Sequence, residues 1–188
     1  MTDNDGGAGD GTHEQLTHTT ADGDVQMVDV GAKPDSRRRA VATGTIRLHP
    51  STLEAIRADE VGKGDVLATA RVGAIQAVKH TWETIPMCHQ IPITNVDTVF
   101  GFFDEADTDE ETAGLTLEVT VETTGKTGCE MEALEGVTTG LNVVWDMVKA
   151  VEKDADGQYP ATRIEDVRVL EKRKQGAESA TTESLNSS

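Results

Sequence analysis

The chain has 188 residues, enough for one domain with a sizeable core but not comfortably for two. Its 34 acidic against 17 basic residues give a formal net charge of −17, which argues against nucleic acid as a partner, because phosphate backbones need a basic surface. An acidic, aromatic-poor composition of this kind fits a protein adapted to high salt, where screening relieves self-repulsion.

Residues 1–24 are rich in Gly, Asp and Thr and are expected to be a disordered acidic extension. Residues 25–173 read as one compact domain, and 174–188 as a second disordered tail. Ala40 to Leu48 alternates as a strand does. Ser51, with Glu54 three residues on, reads as a capping box opening a short helix, which Val61-Gly-Lys-Gly breaks. Asp65 caps a long helix running to about Thr84. Its apolar positions (Val66, Ala70, Gly73, Ala74, Ala77, Val78) include small residues that allow close backbone approach, and Pro86 ends it.

Asn95 to Phe103 and Leu115 to Thr123 are the clearest strands. The second sets Leu115, Leu117, Val119 and Val121 against Thr116, Glu118, Thr120 and Glu122, so one face is buried and one wet. The linker DEADTDEETAG reads as a solvated acidic loop without chemistry. A second long helix spans about Glu130 to Lys153, and a last strand Ile164 to Leu170. The order β-α-α-β-β-α-β predicts an α+β fold, a ferredoxin-like sandwich with an antiparallel sheet and one additional helix.

The two cysteines, Cys88 and Cys129, make no disulfide framework, and a reducing compartment is expected. The acidic, polar N-terminus is the reverse of a signal peptide, and no apolar run approaches a membrane span. A soluble cytoplasmic protein is expected.

Several residues carry candidate chemistry, and each has a bland explanation when taken singly. Lys63 sits between glycines before a helix start, where backbone can approach an anion, yet loop lysines are usually only solvated. His89, in Pro86-Met-Cys-His-Gln90, lies in a loop between helix and strand and is suited to proton transfer near neutral pH. A zinc site from Cys88, His89, Cys129 and His80 lacks ligand spacing, so no metal is expected. GKTG at 125–128 is no P-loop, because Thr120 stands where that loop needs a glycine. Glu130 and Glu132 in a first helical turn complement the helix dipole, and Asp146 with Lys149 could be a solvated i,i+3 pair.

Distance constrains how these residues could cooperate. Glu132 and Asp146 lie about four turns apart on one helix, roughly 20 Å. Lys63 and His89 lie beyond opposite ends of another helix. One small ligand could not touch all four within a subunit, whereas antiparallel pairing across a two-fold axis would bring opposite ends together.

Four segments together resemble the cyclic pyranopterin monophosphate synthase family, MoaC: MVDVGAK (Met27 to Lys33), KGDVLATARVGAIQAVKHTWETIPMCHQIP (Lys63 to Pro92), TGKTGCEMEAL (Thr124 to Leu134) and WDMVKAVEKD (Trp145 to Asp154). The resemblance runs from about Leu16 to Lys172 in order and with matching spacing through the core. It implies a lyase of molybdenum-cofactor biosynthesis that converts 3′,8-cyclo-7,8-dihydro-GTP to cyclic pyranopterin monophosphate and releases diphosphate, without a cofactor. It also implies a homohexamer, a trimer of dimers, with the site at the dimer interface. Position by position it makes Asp146 catalytic, with Lys63 and Lys149 as active-site lysines; the proton transfers such a reaction needs could be shared by Asp146, Lys149 and His89. Met87, Cys88, His89, Glu130, Met131 and Glu132 fall at substrate-contacting positions, and Lys33, Arg38 and Lys172 at basic positions near the triphosphate. One departure stands out: the family's Gly- and Ser-rich C-terminal motif is here Lys172-Arg-Lys-Gln-Gly176. Cys129, at a position often apolar, is expected simply to pack.

Two other classes predict different behaviour. A non-catalytic ferredoxin-like module binding a nucleotide or pterin would survive Asp146→Asn. A purely structural oligomerisation subunit would be indifferent to every substitution named here.

Overall fold

The computed structural model describes residues 26–105 and 112–175. The expected N-terminal extension, the centre of the acidic linker and the tail beyond Gln175 lie outside them. Strand β1 (Ser36–Leu48) leads into helix α1 (Pro50–Arg57) and helix α2 (Val66–Thr84). Strands β2 (Ile93–Glu105) and β3 (Thr112–Gly125) follow, then helix α3 (Glu130–Glu152) and strand β4 (Arg163–Gln175). The sheet has the order β2-β3-β1-β4 with every neighbouring pair antiparallel. This is the α+β ferredoxin-like arrangement expected from the element order, with α1 as the additional helix.

The core lies between one sheet face and the two long helices. Leu115, Leu117, Val119 and Val121 of β3 are fully buried, as their alternation requires, and Ala40, Ala42, Ile46 and Leu48 of β1 share their face. Helix α3 buries Ala133, Gly136, Val137, Gly140, Leu141, Val144 and Val148, a stripe at i, i+3 and i+4. Helix α2 offers Val66, Ala70, Ala74 and Val78 to it. Full burial of each Leu or Val contributes about 1.5–3 kcal/mol relative to exposure.

Small residues set the spacing of this seam. A Cβ at Gly136 would stand 2.8 Å from Val78 and 3.1 Å from Val119. One at Gly140 would stand 2.4 Å from Leu117 and 3.2 Å from Ala74. The two long helices therefore approach at backbone distance and lie close against β3.

Asp65 caps α2 as expected, its Oδ1 accepting from the Ala68 amide at 2.8 Å. The Ser51 capping box is not formed. Pro50 takes the first helical position, where its fixed φ and missing N–H fit, so His49 becomes the N-cap and Ser51 lies inside the first turn. The His49 amide is satisfied instead by Glu152, which is 1% exposed and also accepts from the Thr162 hydroxyl. One buried carboxylate thus ties the end of α3 to the starts of α1 and β4. Glu152→Ala should lower unfolding stability by about 2–4 kcal/mol, because it strands the buried Thr162 hydroxyl, frees the His49 amide and opens a cavity. Denaturant unfolding of wild type and variant at constant salt measures this.

Strands β1 and β4 are longer than their periodicity predicts. Arg37, Arg38 and Arg39 belong to β1, where Arg37 pairs with Glu122 of β3 at 2.9 Å and Arg39 pairs with Glu171 of β4. Strand β4 continues past Leu170 to Gln175, and Asp166 takes a φ of +55° where the register with β1 shifts.

Candidate active site

The candidate residues fall into two groups at opposite ends of the antiparallel α2–α3 pair. The first group lies near the end of α3. The turn after α1 closes through the Gly64 amide on the Val61 carbonyl at 2.9 Å, with Gly64 at φ +102°, a conformation glycine adopts without strain. That turn carries Lys63 to Asp146, 83 residues away, where its Nζ donates to Oδ2 at 3.0 Å and to the Asp146 carbonyl at 2.5 Å. Lys149, one turn along α3, pairs with the other carboxylate oxygen at 2.6 Å.

The hydrogen bonds from Lys149 and then Lys63 hold the Asp146 carboxyl below its ordinary range. The bond to Asp146 in turn raises Lys149. Both groups are open to solvent, with the Asp146 side chain 58% exposed. Exposure means that this arrangement contributes little to folding and leaves all three side chains accessible to a ligand.

The second group lines a cleft of about 520 Å³ around the start of α3. Its walls include Met87, Cys88 and His89 from the loop after α2, and Glu130, Met131 and Glu132 from the first turn of α3. Lys33 from the N-terminal segment and Lys172 from β4 complete them. Lys126 anchors that segment by donating to the Gly31 carbonyl at 2.6 Å. A Cβ at Gly128 would meet the Glu130 carboxylate, which folds back over the turn and pairs with Lys172. Gly128 therefore makes room for the Glu130 carboxylate.

Arg38 does not line the cleft. Its guanidinium donates to the carbonyls of Gly125 at 3.2 Å and Lys126 at 3.0 Å, holding the turn that forms one wall. Thr127, Gly128, Val28, Val30 and Ile85 also line the cleft; none is a candidate site residue by itself, but all five lie within the segments that carry the resemblance. Among the described residues no group of three or more His, Cys, Asp or Glu side chains is placed to hold a metal ion. Cys129 is 1% exposed and donates to the Val121 carbonyl, so it packs as expected. Burial, then the Glu132 and Glu130 charges, push its thiol up to about 11. Burial and Glu132 also raise the Cys88 thiol.

Glu132 is 4% exposed, and burial, with a smaller push from Glu130, raises its carboxyl to about 7 against an ordinary 4.5. Folded protein therefore holds this proton up to neutrality, whereas the unfolded chain loses it near 4.5. The associated stability is complete below 4.5 and is lost as pH rises through 7. Glu132→Gln should remove this erosion. Its stability gain over wild type should grow between pH 4.5 and 7 and level off above, at no more than about 3 kcal/mol. Parallel urea titrations at several pH values check this.

Within one chain the two groups are separated by about 21 Å of helix, the rise from Glu132 to Asp146. One offers a carboxylate flanked by two ammonium groups. The other offers a partly enclosed cleft with a buried acid, a histidine, soft sulfur-bearing side chains and two lysines.

The family profile described as the MoaC family matches residues 27–175. A Halobacterium salinarum protein named probable cyclic pyranopterin monophosphate synthase is 72% identical over 165 residues, 88% of this chain and 96% of that protein. One of the same name from Natronomonas pharaonis is 72% identical over 160 residues, 85% of this chain and 95% of that protein. A Methanothermobacter thermautotrophicus protein, 52% identical over 161 residues (86% of this chain, 96% of that protein), is named a probable cyclic pyranopterin monophosphate synthase accessory protein. With the fold, the two residue groups and a match over most of its length, this chain belongs to the MoaC family.

Proposed function

We propose that the chain is a cyclic pyranopterin monophosphate synthase of molybdenum-cofactor biosynthesis. The observation that carries this is the contact of Lys63 with the Asp146–Lys149 pair across 83 residues of sequence, at the positions the resemblance marks as catalytic. The substrate is 3′,8-cyclo-7,8-dihydro-GTP and the products are cyclic pyranopterin monophosphate and diphosphate. The enzyme acts as a phosphorus–oxygen lyase and works in the cytoplasm.

The chemistry fits the two groups. Purine opening, pyran closure and cyclic phosphate formation need proton transfers in both directions. Asp146, Lys149 and Lys63 offer a base and two acids in hydrogen-bonded contact. Lysines near the phosphates offset charge as diphosphate leaves. In the cleft, Lys33 and Lys172 take that place, His89 can exchange a proton, and neutral Glu132 can donate to a ring heteroatom. Net charge does not oppose an anionic substrate, because steering follows the local field.

The 21 Å separation supports a site completed by a second copy, with the Asp146 group of one protomer facing the cleft of its partner. A hexamer built as a trimer of such dimers is the assembly we propose. The accessory-protein name of the Methanothermobacter relative favours a second reading, a regulatory module that binds nucleotide or pterin without chemistry. Purified protein in high KCl, given the cyclised GTP, decides between them. Stoichiometric diphosphate and pterin support the synthase, and binding without product supports the module.

A further inference from the structure

The cleft around the start of α3 has two walls that come from distant parts of the chain. One is the turn before α3, where Thr127 and Gly128 line the cleft. The other is the segment before β1, where Val28, Val30 and Lys33 line it. Val28 and Val30 are half-buried, whereas Met27, Asp29 and Gly31 beside them are exposed.

This segment has little of its own to keep it in place. It belongs to no helix or strand. Its internal bonds shape a local turn: the Gly31 amide donates to Asp29 Oδ1 at 2.7 Å, and the Lys33 amide to the Val30 carbonyl at 3.1 Å. Among the described residues, the hydrogen bond that joins residues 26–35 to the body of the domain comes from Lys126, whose Nζ donates to the Gly31 carbonyl at 2.6 Å. Lys126 itself stands on a fixed base, because the Arg38 guanidinium holds the carbonyls of Gly125 and Lys126. It immediately precedes Thr127, so it sits at the foot of one wall and grips the other.

We propose that Lys126 is a positioning residue: its bond to Gly31 latches residues 27–33 against the cleft and so places Lys33 where an anionic substrate binds. This rests on the reading of the cleft as the binding site for the triphosphate-bearing substrate. Lys126 does not itself line the cleft, so its effect passes through the segment it holds. Without the latch, a substrate must supply the ordering of that segment from its own binding free energy. The loss then falls on affinity and not on the chemical step.

The test compares Lys126→Met and Lys126→Arg in the full-length protein at high KCl, with two readouts. One is amide hydrogen exchange of residues 27–33, labelled by rapid mixing and read by mass spectrometry. The other is kcat and KM with the cyclised GTP. Lys126→Met should speed exchange of the segment about tenfold and raise KM about tenfold, with kcat within about twofold. Lys126→Arg, which keeps a charged donor on a long side chain, should match wild type in both readouts. Unchanged exchange in Lys126→Met overturns the proposal, and a raised KM beside it would make Lys126 a direct contact of the substrate. Faster exchange with unchanged KM also overturns it, as does an Arg variant as impaired as Met. Should wild type bind the cyclised GTP without turning it over, Kd takes the place of KM. Faster exchange with weakened binding then upholds the latch, while the synthase reading falls. If Lys126→Met does not fold, Lys126→Gln, shorter and uncharged, is scored by the same criteria.

Discussion

Asp146→Asn should lower kcat by about 10²–10⁴-fold while changing KM and the unfolding midpoint little. The substitution keeps size and shape, and the side chain is 58% exposed, so packing has almost nothing to lose. The charge between two ammonium groups is lost. Lys149 no longer has the carboxylate that raises it, and both lysines lose the base they share. The bond from Lys63 to the Asp146 carbonyl survives, so the turn carrying Lys63 should keep its place. Steady-state kinetics beside thermal unfolding separate these effects. A fall in KM-level affinity with unchanged kcat would make Asp146 a binding group only.

A second large effect, on stability, should come from adding bulk at Gly140. An alanine gains about 1 kcal/mol of helix propensity over glycine in an exposed helix interior. Here its Cβ would stand 2.4 Å from Leu117, itself fully buried and unable to swing away, and 3.2 Å from Ala74. Forcing α3 off the sheet and off α2 should outweigh the propensity gain. Gly140→Ala should be net destabilising by about 1–2 kcal/mol and Gly140→Val by about 3 kcal/mol or more. Chemical unfolding in constant KCl measures both. An alanine variant more stable than wild type would mean that the seam is looser than the distances require.

The sequence made parts of this fold legible because their periodicity reflects burial on one face. Alternation in β3 and the stripe of α3 are direct images of the core, and the Asp65 cap is a local hydrogen bond. The extents of β1 and β4 were not legible. Their ends carry arginines and lysines whose partners, Glu122 and Glu171, sit on neighbouring strands, and a cross-strand pair leaves no trace in one strand's period. Ser51 had the right neighbours for a capping box, but Pro50 claimed the first turn.

For the site, distance along two helices foretold the separation of two groups. The arrival of Lys63 at Asp146 depends on a turn geometry at Gly64 that spacing does not encode. Only the resemblance grouped those residues in advance. The raised carboxyl of Glu132 follows from its burial, which a first-turn glutamate does not announce.

The most direct test of a site shared between two protomers is activity after mixing two crippled variants. Asp146→Asn and His89→Ala, each nearly inactive alone, are unfolded together, refolded together and assayed. In a mixed dimer one site carries both defects and the other carries neither. Random pairing should therefore restore about a quarter of wild-type activity. Recovery to that level is the predicted result; a mixture no more active than its components, though shown to contain mixed dimers, would contradict it.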